Sequence, residues 1–174
     1  MNVAEGRHGE ARASAAAGTF DLSEPGIERW GREIGRAAVE SGVFICLYGE
    51  LGAGKSTLAR AACRGAGVTG PVPSPTFTLV NQYTGRDGTS VRHADLYRID
   101  GTEGLPDMGW SDLVQSDDMV LVEWADRADG YLPADRWEIR MQFVDDPVLR
   151  RVEVRACGSA PPVPEPPSVE GDES

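Results

Sequence analysis

Cysteine and histidine are both scarce here, and neither is grouped. Cys46, Cys63 and Cys157 are widely spaced and form no C-x-x-C pair. That excludes a disulfide framework and a cysteine-built zinc site, and it fits a reducing cytoplasm. Of two histidines only His93 falls in the expected folded region, so a histidine metal site is not expected. No uninterrupted apolar run approaches the roughly 18 residues of a membrane span, and no basic-then-apolar signal pattern opens the chain. A soluble cytoplasmic protein without membrane contact is expected.

Positive charge is also in short supply. Seventeen Lys and Arg face 28 Asp and Glu, giving a formal charge of -11 and a pI near 4.6. Nucleic-acid affinity comes largely from basic side chains displacing counterions, so direct, strong nucleic-acid binding is disfavoured. Contact with RNA would need a partner to supply the basic surface.

What is present suits one compact domain. The 174 residues are 40% hydrophobic, with four each of Trp, Tyr and Phe. This is enough for one α/β core and too little for two. Residues 1–18, rich in Ala, Gly, Glu and Arg, read as a flexible leader. Residues 158–174 carry Pro161, Pro162, Pro164, Pro166 and Pro167 among acidic and small residues, and read as a disordered Pro-rich acidic tail. The domain is therefore expected over 19–157.

Within it, Ile27, Trp30, Ile34 and Ala37 or Ala38 recur at helical spacing, with Ser23 as N-cap, Pro25 in the first turn and Gly42 closing the helix. Val43 to Tyr48 is a near-continuous apolar run, the pattern of a parallel strand buried on both faces. Phe77 to Tyr83 and Val91 to Asp95 predict a hairpin around the turn residues 84–88. Met119 to Val122 predicts a short buried strand, while Trp137 to Phe143 and Arg151 to Ala156 alternate as half-exposed strands do. Strands interleaved with helices indicate an α/β fold with a mainly parallel central sheet, antiparallel additions and flanking helices.

Gly49-Glu50-Leu51-Gly52-Ala53-Gly54-Lys55-Ser56 matches the P-loop pattern G-x-x-x-x-G-K-[ST], and Thr57 follows it. Its glycines let backbone N–H groups turn inward around phosphate oxygens, Lys55 brings a compact charge to the β- and γ-phosphates, and the Ser56 hydroxyl suits Mg²⁺. The strand pattern before it and the helix pattern after it are the setting this motif requires. A P-loop NTPase fold is therefore expected.

Phosphoryl chemistry of this class needs a further carboxylate near a strand end. Glu123 closes the Met119 to Val122 run, where an acid that anchors the metal belongs; an ordinary solvated strand end has the same pattern. Asp95 closes the previous strand with His93 two residues earlier on the same face, a candidate pair. Thr76 is offered from the proline-punctuated loop Ser74-Pro75-Thr76, where a hydroxyl could act as switch loops do. Trp124 and Tyr97 read as packing residues. Base choice is not visible, since no N-K-x-D-like element occurs.

Taken in order, Leu47 to Ser56, Ser74-Pro75-Thr76-Phe77-Thr78-Leu79, His93-Ala94-Asp95-Leu96-Tyr97-Arg98 and Leu121-Val122-Glu123-Trp124 resemble one family, TsaE, formerly YjeE. The resemblance spans about residues 20 to 145. It implies a small ATPase with Mg²⁺ as cofactor, serving threonylcarbamoyladenosine modification of tRNA beside the proteins TsaD and TsaB, with tRNA met only through that complex. By the same resemblance Lys55 would bind phosphates, Ser56 and Glu123 would hold Mg²⁺, Thr76 would be a switch hydroxyl and Asp95 would position water, with general-base duty undivided between Asp95 and Glu123. The chain departs from the family pattern at Glu50, Ser56 and Ala94. It also departs at Thr102 to Trp110, where Gly104 and Pro106 weaken an acidic helix. The other readings of a P-loop this size are a small-molecule kinase, which needs an acceptor site and an arginine lid, and a nucleotide-gated binding module without turnover.

Overall fold

A computed structural model describes residues 17–167. A seven-stranded sheet runs in the order β1 (Ala17–Ser23), β7 (Leu149–Cys157), β6 (Arg136–Phe143), β2 (Phe44–Gly49), β5 (Met119–Glu123), β4 (Ser90–Asp95), β3 (Val80–Thr84). The inner pairs β6/β2, β2/β5 and β5/β4 are parallel, and the outer pairs are antiparallel. This is the expected mixed α/β sheet.

Alternation along the central strands builds two cores, one on each sheet face. Ile45, Leu47, Leu121, Trp137 and Ile139 point to one side, where α1 (Glu24–Ser41) and α2 (Lys55–Gly65) cover them. Phe44, Cys46, Val120 and Val122 point to the other, under short 3₁₀ turns and α3 (Trp110–Val114). A strand buried on both faces must be apolar at every position, and the burial of Phe44 to Tyr48 accounts for the continuous run.

Helix α1 forms as its sequence predicts. The Ser23 hydroxyl oxygen accepts from Gly26 N–H at 3.3 Å, Pro25 occupies the first turn, and Gly42 ends the helix in the left-handed region at φ 59°. Its glycines let it approach α2 closely. A Cβ on Gly35 would lie 1.9 Å from the Ala62 carbonyl oxygen, so only glycine fits this crossing.

Two expectations at the ends change. Residues 1–16 of the expected leader lie outside the described residues, but Ala17 and Gly18 already belong to β1, which pairs with β7. The expected disordered tail is packed as far as Pro167. Val163 is buried in the helix-covered core, Trp30 Nε1 donates to the Pro164 carbonyl at 2.8 Å, and Trp137 Nε1 donates to the Pro161 carbonyl at 2.7 Å. Proline lacks an N–H and has little backbone freedom to lose, so an extended Pro-rich strap offers carbonyls to buried indoles at low entropic cost. Residues 168–174 lie outside the described residues.

Candidate functional site

The end of β2 delivers the chain into the P-loop. Gly49, Gly52 and Gly54 take φ values of 143°, 81° and 106°, a backbone that side chains disfavour. A Cβ on Gly49 would also meet the Met141 carbonyl oxygen at 2.4 Å. The loop runs into α2, whose N-cap Gly54 makes no side-chain capping bond. The first N–H groups of a helix lack intrahelical acceptors and carry the positive end of its dipole, so this terminus is built to receive an anion.

Lys55 lies folded against its own loop. Its ammonium donates to the carbonyls of Gly49 at 2.6 Å and Glu50 at 2.8 Å, and sits 3.9 Å from the centre of the Trp124 ring. Burial lowers its pKa, opposed by the nearby charges of Glu123, Asp95 and Asp126. Trp124 reaches this place because its backbone is left-handed, at φ 58°. A large non-glycine residue in that region is strained, and such strain persists only where its surroundings hold it.

The predicted hydroxyls and carboxylates converge on the same spot. Ser56 Oγ donates to Glu123 Oε2 at 2.7 Å. Asp95 Oδ2 accepts from Thr76 Oγ1 at 2.8 Å and Ser74 Oγ at 3.3 Å, while Oδ1 accepts from the Tyr97 N–H at 2.9 Å. Register explains the meeting of the acids: parallel pairing sets Asp95 beside Glu123 at the ends of β4 and β5. The Thr76 loop is tied down by Leu79 N–H to Pro75 O at 2.7 Å and Asp95 N–H to Leu79 O at 3.0 Å. Asp95 and Glu123 are both buried rather than solvated strand ends.

One expectation needs correction. His93 does not pair with Asp95: it is fully buried, and its Nε2 lies 2.7 Å from Glu123 Oε1. Side chains one pleat apart on a strand point the same way, but the neighbouring strand β5 offers Glu123 to His93, and that decides the partner. Trp124 packs against the second core as expected, and Tyr97 packs on it. Their rings lie 5.0 Å apart, and both line a cavity of about 280 Å³ with Lys55, Ser56, Asp95 and Glu123.

A second cavity, of about 420 Å³, opens on the other side of the loop. It shares Gly52, Gly54 and Thr57 with the first and is completed by Glu24, Val148 and Arg150. Glu24 escaped the sequence reading because nothing in its local pattern links α1 to the start of β7, where Arg150 lies. Of the nine loop positions singled out, Gly52, Gly54, Lys55, Ser56 and Thr57 line the 280 Å³ cavity with Leu51, and Ala53 lines the larger one; Gly49 and Glu50 instead receive the Lys55 ammonium.

Comparison with known proteins places the chain in a family. The family model described as threonylcarbamoyl adenosine biosynthesis protein TsaE matches residues 23–152. The chain belongs to the TsaE family. The tRNA threonylcarbamoyladenosine biosynthesis protein TsaE of Haemophilus influenzae is 38% identical over 117 residues, covering 67% of this chain and 72% of that protein. Its counterpart in Streptomyces coelicolor is 40% identical over 136 residues, covering 73% and 90%. The crystal structure of Bacillus subtilus YdiB superposes with a TM-score of 0.65 at 26% identity, covering 83% of this chain and 90% of that one. The TsaE family match ends at residue 152, so the strap at 158–167 lies beyond it. No helix among the described residues is long and apolar enough to cross a membrane.

Proposed function

We propose that this chain binds ATP with Mg²⁺ and hydrolyses it slowly in support of tRNA N6-threonylcarbamoyladenosine modification, as partner of TsaD and TsaB homologues. One observation carries the reading: Lys55, Ser56, Asp95 and Glu123 converge at the uncapped start of α2. On this reading the nucleoside occupies the 420 Å³ cavity and the phosphates cross the glycine loop toward Lys55. The ammonium then exchanges its two carbonyl partners for phosphate oxygens.

The residues suit Mg²⁺. Among the described residues no group of three or more His, Cys, Asp or Glu side chains forms a metal cage. Mg²⁺ needs none, because it keeps waters and takes one or two protein oxygens beside substrate phosphates. The adjacent oxygens of Ser56 and Glu123 are hard donors of the right kind. Bound there, the ion would neutralise charge on the phosphates. Asp95, oriented by Thr76 and the Tyr97 N–H, is placed to orient or deprotonate the attacking water.

Partner binding is supported by the rim of the site. Leu51 is 73% exposed and Phe77 81% exposed, with Tyr97 between solvent and the cavity. Apolar side chains around a phosphate site favour a protein surface, and the net charge of -11 leaves tRNA to be held by the partners. The deciding measurement is ATP turnover with and without the TsaD and TsaB homologues. Slow turnover that the pair alters is expected. Unchanged turnover with no detectable complex would remove the tRNA reading.

A further inference from the structure

Beneath the carboxylate that faces the phosphate site lies an imidazole that the proposed chemistry does not use. Parallel register places His93 beside Leu121, one pleat below the Asp95 and Glu123 pair. It has no solvent exposure. Nε2 lies 2.7 Å from Glu123 Oε1, while Nδ1 has no hydrogen-bond partner among the described residues.

A carboxylate only accepts, so the facing nitrogen must carry the proton. Nδ1 then faces the core with no partner among the described residues. Leaving Nδ1 unsatisfied in a core where an aliphatic side chain would pack is itself unfavourable. The bond from Nε2 is what the position gains in return.

That bond grips Glu123 from the side opposite Ser56. Oε1 is held from within the sheet and Oε2 faces the start of α2. Once the Ser56 hydroxyl turns toward a bound ion, His93 is the remaining hydrogen-bond partner of the carboxylate among the described residues. The order of groups rules out a nucleophile triad, because the imidazole touches the carboxylate and not the hydroxyl.

We infer that His93 is a positioning residue that clamps Oε1 of Glu123 and so presents Oε2 to Ser56 and to the Mg²⁺ that accompanies the nucleotide. The inference rests on the Mg²⁺-ATP reading above. Outer hydrogen bonds of this kind fix ligand orientation, and their loss lowers metal affinity about 10- to 100-fold.

Two amides test it. The amide nitrogen of Gln reaches the place of Nε2, whereas that of Asn reaches only the place of Nδ1. Calorimetric binding of ADP is measured in Mg²⁺ and in EDTA for the wild type, His93→Gln and His93→Asn, with circular dichroism as the check on folding. Wild type and His93→Gln should share the same Mg²⁺-linked gain in affinity. His93→Asn should lose about tenfold or more of that gain while its EDTA affinity holds. Equal gains in all three overturn the inference. So does a His93→Asn chain that unfolds or weakens equally in both buffers, since His93 is then simply structural. A wild type that binds ADP without any Mg²⁺-linked gain instead overturns the Mg²⁺ reading of the site.

Discussion

The Ser56 hydroxyl donates to Glu123 at 2.7 Å, joining the first turn of α2 to the end of β5 across 67 residues of chain. The bond closes the candidate site between its two central elements, and it ties the glycine-rich loop to a carboxylate that is otherwise far away in sequence. If Glu123 organises hydrolysis, Glu123→Ala should cut ATP turnover by about 100-fold or more, the scale of a positioned acid or base. Phosphate release checks this. Turnover at the wild-type level would remove the role assigned to Glu123.

Trp124 should report nucleotide binding. Its ring contacts the Lys55 ammonium, while Trp30, Trp110 and Trp137 are buried elsewhere. Phosphate must draw Lys55 off the ring, so saturating ATP should change tryptophan emission in the wild type. In Trp124→Phe the change should vanish while calorimetry still detects binding. An undiminished signal in that variant would mean that another tryptophan, and not Trp124, reports binding.

The Pro-rich strap should be structural. A chain ending at Cys157 leaves the Trp30 and Trp137 indoles without the carbonyls of Pro164 and Pro161 and exposes the site of Val163. Two lost indole hydrogen bonds and a lost aliphatic contact are worth roughly 2–5 kcal/mol. Urea unfolding should show that loss, with red-shifted tryptophan emission in the folded baseline. Wild-type stability of the shortened chain would show that the indoles find other partners.

Glu138 gives a pH-dependent contribution of known sign. Burial raises its pKa, but hydrogen bonds and charge from Arg136, with Arg155 beside it, outweigh that and hold it below the usual 4.5. A carboxylate with a depressed native pKa binds fewer protons folded than unfolded. Its contribution is therefore complete above the unfolded value and is lost as pH falls through the native one. Glu138→Gln should cost about 1–3 kcal/mol at pH 7, because it leaves the arginines without their counter-charge. The difference from wild type should shrink below pH 4.5. Denaturant unfolding across pH 3–7 tests this, and a constant difference would contradict it.

Much of the site was legible because its rules are local. The glycine spacing, Lys55 and Ser56 declare the loop, and Glu123 and Asp95 stand where apolar strand patterns stop. Other members were not legible. The partner of His93 depends on register between β4 and β5, and the place of Trp124 on a left-handed backbone that no periodicity reveals. Strand β1 was missed because its partner β7 lies some 130 residues away.

By itself the sequence determined the P-loop, the doubly buried central strand and the capped α1, since each follows from backbone conformation or pattern within a few residues. Tertiary structure alone decided that Glu123 is shared by Ser56 and His93, that two cavities flank the loop, and that the proline-rich end closes over two tryptophans. The division is physical. Propensity and periodicity act along the chain, whereas these contacts depend on how distant strands pair and on which buried polar atoms must find partners.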